Sequence, residues 1–271
     1  MTDDFDPDLE TVAPLAPEHP AERAVAASPR ARRRPLVGLV AALAVVSLVV
    51  GFGVATIVLN ARDSSPRQVA VVAPDDSVLG GLILQQADVP AGLTVALLDH
   101  GADLTIATLD LCNGKFASES QRTARRQVAL ADDQGNLRLS TEAILYRSPS
   151  VGTQAMHELQ SVAAHCPSTP VKSPVGEGTA TTRFRASPDG AWPRTPSVER
   201  LAYDMVTTDA TTNVPLHTIA VYLHRGRMLM GIYFAQPDGP QPAVDGRATI
   251  AGIVSVFEAR MAKVPARVAG G

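Results

Sequence analysis

Catalytic signature motifs are absent from this chain of 271 residues. It holds no GxSxG nucleophile elbow, no Gly-rich phosphate loop and no SxxK motif with its partner motifs. His157 and Glu158 begin like a zinc-binding HExxH helix, but the second histidine is missing because position 161 is Ser161. We therefore expect a protein that is not an enzyme and that uses no cofactor and no metal ion.

Neither sign of charge is in large excess. The formal net charge is −3 at pH 7, and acidic and basic residues nearly balance after residue 60. A domain that binds nucleic acid normally carries a basic patch or stripe. The sequence therefore predicts no nucleic acid partner.

One long apolar run stands out, because residues 36–59 contain no charged side chain. As a helix this run would extend about 36 Å, enough to cross a hydrocarbon core of about 30 Å, and it exceeds the apolar core of a cleaved signal peptide. Arg30, Arg32, Arg33 and Arg34 precede it. The positive-inside rule then predicts a single-pass protein of the cell membrane, with a cytoplasmic N-terminus and an extracytoplasmic C-terminal domain.

Composition divides the rest of the chain into four parts. Residues 1–35 are rich in proline and acidic residues and poor in aromatic residues, which predicts a disordered cytoplasmic tail. Residues 60–76 resemble a short stalk, and residues 77–265 have the length of one folded extracytoplasmic domain. Residues 266–271 are predicted to be a disordered C-terminus.

Cysteine is scarce, and both cysteines, Cys112 and Cys166, fall in the predicted outer domain. Oxidising conditions outside the cytoplasm let a disulfide persist, so pairing is the simplest outcome. A metal or redox site that also uses His165 is the alternative. Neighbouring His and Cys side chains point in different directions on a helix, however, and the chain has no CxxC motif.

Hydrophobic periodicity changes between the helical and the strand type along the outer domain. Apolar residues recur at helical spacing in residues 149–166 and 245–261, the latter with Asp245 as its cap, and a shorter helix is predicted at 77–87. Two hairpins are predicted to turn at residues 132–136 and 225–226. The candidate strands are residues 93–98, 104–109, 126–131, 137–146, 179–186, 200–207, 217–223 and 227–235.

These elements predict a fold of the α+β class. Strands and helices segregate along the chain instead of alternating one by one, which favours an antiparallel sheet packed by two main helices. A single transmembrane helix and a disordered N-terminal tail are predicted to precede this domain.

The order of the elements resembles that of actinobacterial membrane-anchored extracellular sensor domains, the group of the PknH-type receptor kinase ectodomain and related envelope lipoproteins. The resemblance rests on residues 82–92, on Ala164-His165-Cys166-Pro167 and on the late hairpin followed by a terminal helix. It implies a non-enzymatic domain with a groove between sheet and helices that binds a small envelope ligand. The chain departs from the kinase ectodomain in having a single cysteine pair and a short cytoplasmic portion.

Residues at strand ends are the best candidates for contacts with a ligand in such a groove. They combine aromatic or cationic character with predicted positions near the rim of the sheet, and they are Trp192, Tyr203, Tyr222, Tyr233 and Arg183. Because aromatic residues make up only 4% of the chain, each ring is equally suited to filling the core. The segment 187–196 is an alternative site for docking of a protein.

The sequence therefore favours a membrane-tethered sensor or ligand-binding module. The alternative is a scaffold or accessory subunit of a cell-envelope or secretion complex with an envelope protein as partner, and an unrecognised hydrolase is a third reading. A sizeable apolar cleft would favour the first, and a flat apolar patch the second. Gly38 and Ala42 have the small-xxx-small spacing of paired membrane helices, so the expectation includes an oligomer.

Overall fold

An eight-stranded antiparallel sheet dominates the computed structural model, which describes residues 74–172 and 178–270. The strands are β1 (Thr94–Leu97), β2 (Arg122–Ala131), β3 (Leu137–Tyr146), β4 (Val171–Lys172), β5 (Thr179–Phe184), β6 (Glu199–Asp209), β7 (Pro215–Arg225) and β8 (Met228–Phe234). Their order across the sheet is β1-β2-β3-β8-β7-β6-β5-β4. The hairpins β2–β3 and β7–β8 thus meet in the middle of the sheet, where β3 pairs with β8.

In the part of the chain that the structure describes, four α-helices accompany the sheet: α1 (Pro74–Leu82), α2 (Pro149–Ala164), α3 (Ile250–Lys263) and α4 (Ala266–Ala269). Helix α2 begins with Pro149 in its first turn, where a missing N–H removes no helical hydrogen bond. Helix α3 follows Thr249, whose hydroxyl accepts a hydrogen bond from the Gly252 amide at 3.1 Å and caps the first turn. Two 3₁₀ turns lie at Gln86–Asp88 and Ala117–Gln121.

Both faces of the sheet are covered. Helices α1 and α3 pack on one face, where Phe257 and Met261 of α3 are fully buried among strand side chains. Helix α2 and the segment 109–116 cover the other face, where Ala155 and Leu159 of α2 are fully buried. The central strands therefore alternate between two apolar cores instead of between a core and water.

Two glycines permit close packing of α2 against the β7–β8 turn. Gly226 in that turn has a φ of +60°, a conformation that other residues adopt rarely. A Cβ atom on Gly152 of α2 would lie 2.3 Å from the Gly226 carbonyl oxygen. Any larger residue at position 152 would therefore push α2 away from the sheet.

The fold class predicted from the sequence is wrong. The sequence predicts an α+β domain in which two main helices pack an antiparallel sheet, preceded by a transmembrane helix and a disordered tail. The described chain is instead an eight-stranded antiparallel sheet with few helices. Periodicity locates strands such as β3 and β8 but does not reveal that they pair at the centre of one large sheet, because the two strands lie about 90 residues apart in sequence.

Several predictions lie outside the described residues. They concern the tail (1–35), the arginines Arg30, Arg32, Arg33 and Arg34, the apolar run (36–59) with Gly38 and Ala42, and most of the stalk (60–76). Helix α1 begins at Pro74, inside the predicted stalk. Within residues 74–172 and 178–270, no helix combines the length and the apolar character that crossing a membrane would require.

The predicted strand at residues 104–109 is a loop in the structure. Its backbone oxygens bind a side chain instead of a neighbouring strand: the Arg122 guanidinium donates to the carbonyl oxygens of Leu104 at 2.8 Å and Ile106 at 2.9 Å. The Thr108 and Leu109 amides donate in turn to the Glu119 carboxylate at 2.8 and 3.2 Å. Side chains thus take up hydrogen bonds that would otherwise favour strand pairing.

Two predictions near the C-terminus also differ from the structure. Asp245 does not cap α3; it has a φ of +47° before the helix, and its carboxylate accepts a hydrogen bond from Arg260 at 2.7 Å. Residues 266–269, in the segment predicted to be disordered, form α4. The Arg227 amide donates to the Ala269 carbonyl oxygen at 2.8 Å, which attaches α4 to the β7–β8 turn.

Candidate functional site

A groove of about 550 Å³ lies between the C-terminal half of α2 and the strands β5 and β6. Gln160, Ala163 and Ala164 form its helix side. Phe184 and Tyr203 contribute to its sheet side. Pockets that bind small molecules usually measure about 300–1,000 Å³ and are mostly apolar with a few polar groups, so the groove has a suitable size and lining for a ligand.

Aromatic rings on the sheet side continue from the groove into the core. The ring of Phe184 meets that of Tyr203 edge-on, with 5.4 Å between the centroids. Tyr203 in turn contacts Tyr222 at 6.2 Å, and Tyr222 contacts Tyr233 at 5.9 Å. Burial raises the pKa of Tyr203 to about 12, so its hydroxyl stays protonated at neutral pH and can donate a hydrogen bond.

Asp189 forms the acidic part of the groove lining and is tightly held. Its carboxylate accepts hydrogen bonds from the Ser187 hydroxyl at 2.6 Å, from Arg200 Nε at 3.0 Å and from Arg194 at 3.1 Å. Burial alone would raise the pKa of Asp189. The pKa nevertheless lies below its usual range because hydrogen bonds from Ser187 and Arg200 stabilise the carboxylate. Asp189 therefore stays ionised.

Arg200 connects this end of the groove to α3. Its side chain is 1% exposed and donates to Glu258 of α3 at 2.6 Å, in addition to Asp189. The guanidinium also lies 5.5 Å from the centre of the Trp192 ring, within the range of a cation–π contact. Thr195 donates to the second Glu258 oxygen at 3.0 Å. The buried Arg200–Glu258 pair therefore holds both ends of the segment 189–195, Asp189 through Arg200 and Thr195 through Glu258.

A smaller pocket of about 240 Å³ shares Gln160, Arg194, Arg200 and Leu201 with the groove. His157 of α2 lines it as well. The shared residues make the two pockets neighbouring parts of one depression along α2.

A disulfide between Cys112 and Cys166 fixes the end of α2 beside the groove. The two sulfur atoms lie 1.98 Å apart, and the bond links positions 54 residues apart in sequence. Cys166 follows the groove residue Ala164 by two positions. The disulfide therefore holds the helix side of the groove to the segment that carries Cys112.

The five ligand-contact residues predicted from the sequence occupy different environments. Tyr203 lines the groove. Tyr222 and Tyr233 are buried behind it in the row of aromatic rings. Trp192 is half-buried against the α3 side of the sheet, and Arg183 is exposed on β5. Because side chains alternate along a strand, Arg183 points away from the face that bears Phe184 and the groove.

Other groove residues escaped the sequence analysis. Phe184 and Leu201 had no signal beyond strand alternation, and Ala163 was assigned only to the apolar stripe of α2. Asp189 and Arg194 belong to the segment 187–196, which the sequence marked as a recognition loop. For these missed residues, the loop composition of the segment 187–196 was the one usable indication of a binding role, and it does not indicate a groove.

A second buried ion pair lies on the face of the sheet that α2 covers, where Glu142 alternates with residues of the other core. Arg125 of β2 donates to Glu142 of β3 at 2.6 Å, and the two side chains are 4% and 2% exposed. Arg125 also donates to Gln127 at 2.8 Å and to the His100 carbonyl oxygen at 3.1 Å. Burial raises the pKa of Glu142 to about 7, against the opposing attraction of Arg125.

This elevated pKa makes folding stability depend on pH. The folded state binds a proton at Glu142 more readily than the unfolded state, so the resulting stabilisation is complete below about pH 4.5 and is lost as the pH rises through about 7. We expect the free energy of unfolding to fall by on the order of 2 kcal/mol between pH 5.5 and 8. Urea unfolding at both pH values measures it. The Glu142→Gln variant should lack this part of the pH dependence, and an equal fall in the variant would contradict the assignment.

The arrangement of the groove suits binding of a small molecule. It offers aromatic and aliphatic surface, one tyrosine hydroxyl and several guanidinium groups. Within the described residues, no cluster of three or more His, Cys, Asp or Glu side chains is placed to hold a metal ion.

Comparisons with known proteins give limited information. No protein-family model and no curated protein sequence matches this chain. Among solved structures, the chain is similar to the extracellular domain of PknH from Mycobacterium tuberculosis. The sequence identity is 11% and the TM-score is 0.36, and the match covers 68% of this chain and 93% of that domain. A likeness at this level supports no conclusion about the function of this chain.

Proposed function

We propose that the described domain is a non-enzymatic, extracytoplasmic ligand-binding domain of the sensor type. The groove beside α2 carries this proposal, since it has the size of a small-molecule site and a wall that contains Phe184, Leu201 and Tyr203. Aromatic side chains supply large contact areas with little loss of conformational freedom on binding. The bound molecule is proposed to lie between α2 and the strands β5 and β6.

The disulfide supports the extracytoplasmic part of the proposal. Cys112 is 5% exposed and joined to Cys166, and such bonds persist in oxidising compartments but are rare in the cytosol. The wall of the proposed site depends on this bond because it fixes the C-terminal end of α2. Full stability and ligand binding would then both depend on an oxidising environment.

A second candidate function is docking of an envelope protein. Leu97, Leu104 and Ile106 are 50%, 40% and 37% exposed and lie within ten residues of one another in sequence. Exposed apolar residues that cluster often mark protein interfaces. This second function would use the edge of the sheet at β1, and the groove would remain empty.

A groove-filling substitution tests the first proposal. Ala164→Trp would place a large ring in the groove from α2, whereas Ser161→Trp places the same ring at an exposed position of α2 outside the groove lining. We expect native mass spectrometry of the full chain, purified unreduced from its own cells, to detect a bound small molecule on the wild type and on Ser161→Trp. Ala164→Trp should carry at least tenfold less, because the ring excludes the ligand.

Two results would overturn the proposal. A ligand that remains equally bound to Ala164→Trp would lie outside the groove. An empty wild-type chain that carries another protein would instead establish the docking function. Free thiols at Cys112 and Cys166 in the native protein would separately disprove the extracytoplasmic location.

A further inference from the structure

We infer that the groove selects an anionic amphiphile, a molecule with an apolar or aromatic body and one acid group that pairs with Arg194. This inference rests on the proposed function and adds the chemical class of the ligand. The apolar body would contact Phe184, Leu201 and Tyr203.

Arg194 has most of its hydrogen-bonding capacity available. Its side chain is 62% exposed, and it lines both the groove and the smaller pocket. Its one ion pair within the described residues is the 3.1 Å contact to Asp189. A guanidinium group has five N–H donors in a planar fork that matches a carboxylate or a phosphate, so Arg194 can bind a ligand anion in addition to Asp189.

Arg185 supplies no second cation to the groove. Its side chain follows Arg183 by two positions and shares the face opposite Phe184, and its Nε lies 3.9 Å from Asp204, which alternates with the groove residue Tyr203. The same Asp204 oxygen lies 2.8 Å from His217. The acid group of a ligand is therefore assigned to Arg194 alone.

The balance of charge in the groove also favours an anion. Arg194 and Arg200 line it, whereas Asp189 is the one acidic residue of the groove lining. Asp189 would keep the Arg200 and Ser187 hydrogen bonds if Arg194 turned to a ligand. Arg200 is itself neutralised by Glu258 behind the groove, and Glu199 of the smaller pocket is paired with His224. A cationic ligand would therefore find no free carboxylate, and an anionic one would find the exposed guanidinium of Arg194.

Matched probes that differ only in charge test this inference. Calorimetric titration of the full chain in lipid nanodiscs, with empty nanodiscs as the blank, compares one aromatic body with three charges: 2-naphthoate, neutral 2-naphthamide and 2-naphthylmethylammonium. We expect naphthoate to bind about tenfold more tightly than naphthamide, because charge-assisted hydrogen bonds are stronger than neutral ones. Decanoate and decanamide repeat the comparison with an acyl chain. Tighter binding of naphthoate than of decanoate would indicate an aromatic acid as the ligand, and the reverse order a lipid-derived acid.

Arginine variants locate the acid group. Arg194→Gln should weaken naphthoate binding about fivefold or more and leave naphthamide unchanged. Arg183→Gln is the matched control, since Arg183 is an exposed arginine of β5 that lies outside the groove lining. Equal affinities for naphthoate and naphthamide would overturn the inference while the groove remained a ligand site. Failure of every probe to bind would also overturn the inference. In that case a native ligand that Ala164→Trp excludes would still support the proposed function.

Discussion

Replacing both Cys112 and Cys166 with alanine will lower the free energy of unfolding by about 4 kcal/mol. The disulfide joins positions 54 residues apart, and in the loop-closure model a cross-link of that span removes chain entropy from the unfolded state by this amount. Alanine fits the packing at Cys112 because the position is buried and adjoins apolar side chains. Urea unfolding of the double variant and of the wild type gives the difference directly.

The reduced wild type is the control for this prediction. With dithiothreitol the wild type should approach the stability of the double variant, and the double variant should not respond. The urea dependence of the unfolding free energy should also become steeper, because the unfolded chain without the cross-link exposes more surface. A loss below about 1 kcal/mol would show that α2 is held by its apolar face alone, through residues such as Leu159.

Local sequence patterns predicted those parts of the fold that depend on neighbouring residues. The apolar stripe and Pro149 indicated α2, and the turn at 225–226 indicated the β7–β8 hairpin. Both are elements whose hydrogen bonds join residues close in sequence. The joining of the β2–β3 and β7–β8 hairpins into one sheet was not predictable in this way, because β3 pairs with β8, which lies about 90 residues further along the chain.

The resemblance implied a groove between sheet and helices, but local patterns could not place it, for the same reason. The groove combines α2 with β5 and β6, and its polar end depends on Arg200, whose partner Glu258 is 58 residues away. Tyr203 was chosen as an aromatic residue near a strand end, and the same criterion selected Tyr222, which is buried in the core. Residue type alone cannot separate a ring that lines a pocket from one that fills a core.

Arg200→Met is expected to lower the free energy of unfolding by about 3–5 kcal/mol, since removing one partner of a buried ion pair leaves an uncompensated charge. Glu258 is 2% exposed and Asp189 is 8% exposed, and both would lose their Arg200 contacts. Arg194→Gln provides the matched comparison. Arg194 binds the same Asp189 from an exposed position, so its loss should cost less than about 1 kcal/mol.

The double variant Arg200→Met/Glu258→Leu determines how much of this loss comes from the unpaired acid. It removes the buried carboxylate together with its partner, so it should recover at least half of the stability lost by Arg200→Met alone. The same network holds the 189–195 segment at the groove. Arg200→Met should therefore also weaken ligand binding, whereas the double variant should regain stability without regaining affinity. Additive losses in the double variant would mean that Arg200 acts through its packing against Trp192 instead of through its charge.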